Sequence, residues 1–478
     1  MTDAHDNWES PLSTRYASAA MRRNFSARQR VLTWRRLWLA LAEAQHELGL
    51  GVTEAQLAEL HATLEDIDFA RAAELEAELR HDVMAHVHAW GELAPGARGI
   101  LHLGATSCFV TDNADLVILR DGVRTIRGLL VGVIRELREF CLRHKDLPCL
   151  GRTHYQPAQA TTIGKRASLW LQDFVFNLED LDQAEAKIRF RGVRGTTGTQ
   201  ASFLQLFDGD DEKVRELDRC VTRALGFQSA FGVSGQTYPR QLDFRVCQVL
   251  SGIAQSASKF ALDVRLASGE RELEEPFGTQ QIGSSAMPWK RNPMRSERIG
   301  AIARHVITLL DDTAHTAANQ WFERTLDDSA NRRMSLPEMF LGTDAILQLV
   351  SNVAAGLQVH EAVVTRRLTS ELPFLATEHL LMAAVRAGVD RQDAHERIRV
   401  LAREASEAIH RGEDNPLVRL IAADATFAPI AGELERILDP HAFVGRAPKQ
   451  VEEYVRDEVD PLLERHAELR STAAEIRV

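Results

Sequence analysis

At 478 residues, with 45% hydrophobic and 26% charged side chains, the chain has the composition of an ordinary folded protein, neither disordered nor fibrous. Its length predicts about two to four domains, and a net charge of −11 excludes nonspecific binding to a phosphate backbone. Any anionic ligand must therefore meet local arginines.

No basic start followed by an apolar core opens the chain, and apolar runs such as 129–134 are far short of a bilayer span, so a cytoplasmic protein is expected. The cysteines, Cys108, Cys141, Cys149, Cys220 and Cys247, are odd in number and lack C-x-x-C spacing. That disfavours a disulfide framework or a zinc site and predicts reduced thiols.

From the N-terminus, Val31, Trp34, Leu37, Trp38, Leu41 and Leu48 recur at helical spacing, with Gly49 as a stop. The run Arg80-His81-Asp82-Val83-Met84-Ala85-His86-Val87-His88 carries three histidines. His81 and His88 share a helix face but lie about 10 Å apart by helical rise, too far for one zinc ion. The run 104–113, Gly-Ala-Thr-Ser-Cys-Phe-Val-Thr-Asp-Asn, reads as a polar helix start. There Thr106 and Ser107 can cap free N–H groups, or with those same donors hold a carboxylate or phosphate.

A long helix is predicted over 115–141, an extended loop over 146–157 containing His154, and another helix over 162–190. The glycine-rich 192–198 segment lacks the Lys-Ser/Thr ending of a P-loop. Gln236 precedes a helix over 240–270.

The run 283–293, Gly-Ser-Ser-Ala-Met-Pro-Trp-Lys-Arg-Asn-Pro, sets a hydroxyl and an ammonium in a loop bounded by glycine and proline. Helices over 297–322 and 344–358 follow, separated by a cluster with Arg324, Ser329 and Arg333. Ser329 and Arg333, four apart, share one helix face, and Arg324 precedes that helix. Pro337 is expected to interrupt or kink the helix after Arg333. Beyond His360 the helices become shorter and more charged. The expected class is all-α, with an N-terminal domain over 1–106, a central long-helix bundle over 107–359 and a C-terminal domain over 360–478.

The Gly283 to Pro293 run resembles the Gly-Ser-Ser-x-x-Pro-x-Lys-x-Asn signature of the fumarase/aspartase superfamily. Gly151 to Gln159 resembles its histidine region, and Gly104 to Asn113 its Thr-Ser element. Ala286, Trp289, Arg291 and the Arg324 to Arg333 cluster look like the adenylosuccinate lyase branch, though Trp289 stands where that branch often has tyrosine or histidine.

This resemblance implies a homotetramer without metal or organic cofactor, each active site drawing its three regions from three subunits. It implies β-elimination of fumarate from adenylosuccinate to give AMP, and from succinylaminoimidazole-carboxamide ribotide (SAICAR) to give AICAR, in purine nucleotide biosynthesis. Ser284 would be the general base and His154 the general acid, with His81 assisting. Lys290 and Asn292 would stabilise the carbanion, and Glu297 would orient His154 or Lys290. Substrate contacts would come from Arg15, Tyr16, Arg80, His81, Asp82, Thr106, Ser107, Gln236, Arg298, Arg324, Ser329 and Arg333. The rival expectations are another fumarate-releasing lyase, such as argininosuccinate lyase, and a catalytically silent helical scaffold.

Overall fold

The structure, a computed structural model, describes residues 6–469. Its frame is a bundle of five helices, Ser107–Arg143, Ile163–Glu185, Gln241–Gly269, Met294–Ala318 and Asp328–Gly356. Their apolar faces bury Trp170 edge-on to Phe260, with ring centroids 5.3 Å apart, and removing such a side chain from water is worth about 1.5–3 kcal/mol. Asp328–Gly356 is long and apolar enough to pass as a membrane span, yet 78% of its most apolar window is buried inside the protein.

Local signals set the element ends. The Ser26 side chain accepts the Gln29 N–H at the start of Ala27–Glu47. Past its last turn, Gly49 takes φ 85° and Leu50 N–H returns to the Gln45 carbonyl, the stop expected at Gly49. One hydrophobic cluster joins the N-terminal helices to the bundle and takes in Val451, Val455, Val459 and Leu462 from near the chain end. A second, smaller cluster lies within Ala376 to Leu434.

Two expectations need correction. The segment expected as loop over 146–157 is a β-hairpin, Pro148–Thr153 against Gln156–Thr162, turning at His154 (φ 52°) and Tyr155 (φ 59°). A two-residue turn of type I′ needs positive φ at both positions, which Asn-Gly supplies and His-Tyr does not advertise. The helix expected over 344–358 begins at Asp328, and Pro337 lies inside it without ending it. Proline removes one N–H, so only the Arg333 carbonyl loses its helical partner, and buried contacts on both sides of Pro337 hold the helix. Thr106 occupies the N-cap position of Ser107–Arg143, but its side chain makes no capping bond.

Bundle direction places the functional segments. Ser107, Arg240 and Asp328 stand at one end of their helices, and all three line or adjoin one cavity. At the other end of Gln241–Gly269, the strand Leu273–Glu274 pairs with Gln358–Val359, which follows Asp328–Gly356. Twenty-nine residues separate these ends, or about 43 Å at 1.5 Å per residue.

Candidate active site

At the first end is a cavity of about 470 Å³. Arg80, His81, Asp82, Ser107, Gln236, Arg324, Ser329 and Arg333 all line it, so the fold gathers eight of the expected residues from four chain segments. Arg80 is the left-handed C-cap (φ 55°) of Phe69–Leu79, and His81 is the N-cap of Asp82–Leu93. His81 Nδ1 accepts the Met84 N–H at 3.3 Å, so the neutral ring carries its proton on Nε2, which lies 3.3 Å from Ser107 Oγ. Asp82 accepts from Arg333 at 2.9 Å and so orients that guanidinium. His86 packs edge-on between Trp34 and Phe69, and burial lowers its pKa, as suits a structural histidine.

The floor of the cavity is an ionic network that the sequence did not announce. Arg240 donates to both oxygens of Asp112 at 3.0 and 3.1 Å and to Asp328 at 2.6 Å. Arg332 donates to Asp243 at 2.7 Å and pairs with Asp115 at 3.0 Å, while Tyr238 donates to Asp243 at 2.6 Å. Burial pushes the Asp112 carboxyl up, but Arg240, Arg332 and Arg191 outweigh it and hold it below the usual carboxylate value. For Asp115 burial outweighs Arg332, and the pKa is raised. Asp112, buried among apolar residues on the inward face of its helix, was the available signal.

The 192–198 loop is held from within the fold. Arg191, fully buried, donates to the carbonyls of Gly192 and Gly195, and Gln236 donates to Thr196 at 3.0 Å. The loop thus backs the cavity wall. Burial also raises the neighbouring Cys108 thiol to about 11, and its Sγ donates to Gln236 at 3.3 Å.

The signature loop stands at the opposite end. Gly283 packs so closely on Lys290 that a Cβ would lie 2.2 Å from the Lys290 carbonyl oxygen. Asn292 donates to the Gly283 carbonyl at 2.8 Å, and Ser284 Oγ accepts the Met287 N–H at 3.1 Å. Buried Glu275 anchors the loop base, accepting from Arg295 N–H, Ser296 N–H and Ser296 Oγ at 2.9, 3.0 and 3.0 Å. Glu274 binds Arg291 at 2.5 Å and His360 at 3.1 Å. Although burial raises the Glu274 pKa, those partners bring it below its ordinary value. Lys290 and Trp289 are exposed, and Glu297 is exposed in the first turn of Met294–Ala318.

His154 shares this end, since Arg152 of its hairpin lies 3.9 Å from Glu270, just past Gln241–Gly269. His154 itself is exposed at the turn. Arg298 stacks its guanidinium over the Tyr16 ring at 5.7 Å, and Arg15 belongs to the same helical turn as Tyr16. Among the described residues, His154, Ser284, Lys290, Asn292, Arg298, Arg15 and Tyr16 are not part of the cavity lining, nor is Thr106, which stands beside Ser107 at the cavity's own end. A single chain does not unite the two groups.

A family model described as Lyase matches residues 14–308, a span that holds Arg80 to Asp82, Ser107, the hairpin and the signature loop. In the solved structures, the 3-carboxy-cis,cis-muconate lactonizing enzyme of Pseudomonas putida superposes with TM-score 0.82 at 24% identity, covering 94% of this chain and 99% of that one. Fumarate lyase from Mesorhizobium sp. BNC1 gives TM-score 0.78 at 24% identity, covering 93% and 99%. Fold and family match together define a lyase.

A second model, described as Adenylosuccinate lyase C-terminus, matches residues 373–454. Adenylosuccinate lyase of Saccharomyces cerevisiae is 51% identical over 464 residues, covering 96% of each chain, and that of Schistosoma mansoni is 46% identical, covering 96% of this chain and 97% of the relative. The chain belongs to the adenylosuccinate lyase family.

Proposed function

We propose that this protein eliminates fumarate from adenylosuccinate, releasing AMP, and from SAICAR, releasing AICAR. It acts as a cytoplasmic homotetramer in purine nucleotide biosynthesis. The observation that carries this reading is the cavity, where Arg80, Arg324 and Arg333 converge with Ser107 and Ser329 in a protein of net charge −11. Guanidinium forks suit carboxylate and phosphate oxygens, and a succinylated nucleotide offers both.

In the elimination, Ser284 takes the proton from the succinyl carbon beside a carboxylate, and the electron pair forms the fumarate double bond as the carbon–nitrogen bond breaks. His154 gives a proton to the departing nitrogen. A serine hydroxyl is a weak base until its alkoxide is stabilised, a task suited to Lys290 and loop N–H groups. Lys290 and Asn292 hold the charge of the carbanion. His81, with its proton on Nε2, assists at the cavity.

Helix lengths support a shared site. Ser284 and His154 stand about 43 Å of helix away from the cavity of their own chain. Neighbouring subunits packed antiparallel would bring those ends together.

Mixing inactive Ser284→Ala with inactive His81→Ala protein tests this, as does mixing Ser284→Ala with His154→Ala. In an equal random mixture, about one quarter of sites draw both intact residues from different subunits. Recovery near that fraction is expected, and none after confirmed subunit exchange would reject shared sites. Following absorbance with adenylosuccinate, SAICAR, argininosuccinate and malate in turn decides the substrate, and turnover of argininosuccinate or malate alone would reject the nucleotide reading.

A further inference from the structure

Building on the anion-binding reading of the cavity, we propose that Asp328 is a positioning residue that acts through Arg324. Arg324 lies in the connection before Asp328–Gly356, outside any helix, and its side chain is 21% exposed where it lines the cavity. An arginine so placed has many rotamers, and its selectivity for an anion depends on holding one of them.

Asp328 supplies that restraint. Its side chain is fully buried, and its two oxygens divide between two guanidinia: Oδ1 accepts from Arg324 Nη1 at 2.8 Å and Oδ2 from Arg240 Nε at 2.6 Å. Arg240 is held independently, because both its terminal nitrogens donate to Asp112. Losing the Asp328 charge therefore leaves Arg240 with a complete carboxylate partner. Arg324 has no such reserve in Asp112. Asp328 is thus arranged to tie one edge of Arg324 to the floor while the remaining N–H donors face the ligand.

Its position adds a second constraint. Asp328 is the first residue of its helix. Ser329 follows immediately and Arg333 lies one turn on, both in the cavity lining. The same helix start therefore fixes Arg324, Ser329 and Arg333 relative to one another.

The test is a double-mutant cycle on the full oligomer, with AMP binding measured by calorimetry beside kcat and KM. Arg324→Gln should weaken AMP by about tenfold, the scale of one charge-assisted hydrogen bond. Asp328→Asn should weaken AMP several-fold with kcat within about twofold. In the Arg324→Gln background Asp328→Asn should add less than about twofold, since coupled residues do not add.

Equal effects of Asp328→Asn in both backgrounds, or no effect on AMP while Arg324→Gln weakens it, would overturn the positioning role. If Arg324→Gln itself leaves AMP binding unchanged, the anion-binding reading of the cavity fails and this role fails with it. Should Asp328→Asn not fold, Asp328→Glu keeps the buried charge but displaces the carboxylate by one methylene. The same selective loss of AMP affinity is then expected, and unchanged affinity would refute the role.

Discussion

Gly283→Ala is the most local probe of the signature loop. An added Cβ would lie 2.2 Å from the Lys290 carbonyl oxygen and 3.1 Å from the Arg291 Cα, both of them backbone. Ordinary contact begins near 3.4 Å, so the loop segment carrying Lys290 and Asn292 must move outward by about 1 Å. The Asn292 bond to the Gly283 carbonyl, 2.8 Å in the native loop, would stretch or break.

A displacement of that size in a positioning segment costs about 10²-fold in turnover. The loop is mostly exposed, so little packing is lost and the melting temperature should change by only a degree or two. Gly278→Ala, in the same connection, is the control: its Cβ would meet only the Gln281 side chain at 3.6 Å. Steady-state kinetics on adenylosuccinate should show kcat reduced about 10²-fold in Gly283→Ala and near wild type in Gly278→Ala. Activity of Gly283→Ala within threefold of wild type would refute the claim that this close approach sets the catalytic geometry.

Two other outcomes follow from buried groups. Burial pushes the His102 imidazole from 6.5 down to about 4, while its Nδ1 accepts the Trp38 indole N–H at 2.8 Å. The unfolded chain takes up this proton below about pH 6.5 and the folded one resists it, so the stability is full above 6.5 and lost between 6.5 and 4. The melting temperature should fall between pH 7 and pH 5, and less steeply in His102→Asn, which tolerates the left-handed backbone at φ 64°. Parallel pH curves would contradict this account. Of the five cysteines, all are free and four are buried, leaving Cys220. A chromogenic thiol reagent should therefore titrate one thiol in the native protein and five in denaturant, and rapid reaction of several in the native state would refute the burial pattern.

Much of the molecule was legible from local chemistry. The long helices, the stop at Gly49, the signature loop, the pairing of Ser329 with Arg333 on one face and the structural role of His86 each follow from residues close in sequence. The His154 turn did not announce itself, because its positive φ values fall on histidine and tyrosine and are maintained by strand pairing, which sequence spacing alone does not encode. Pro337 misled for a related reason: helix propensity weighs against proline, while the packing that overrides it comes from distant helices.

What the sequence determined by itself was the helical periodicity, the chemistry of each motif and the resemblance that joins them. Tertiary structure alone decided which charges meet and which motifs stay apart. Arg240 finds Asp112 and Asp328 across 128 and 88 residues, a choice made by helix register because an inward carboxylate specifies only that some cation must neutralise it. The length and direction of the bundle helices put Ser284 and His154 at one end and the arginine-lined cavity at the other, since a rigid helix converts 29 residues into a fixed separation.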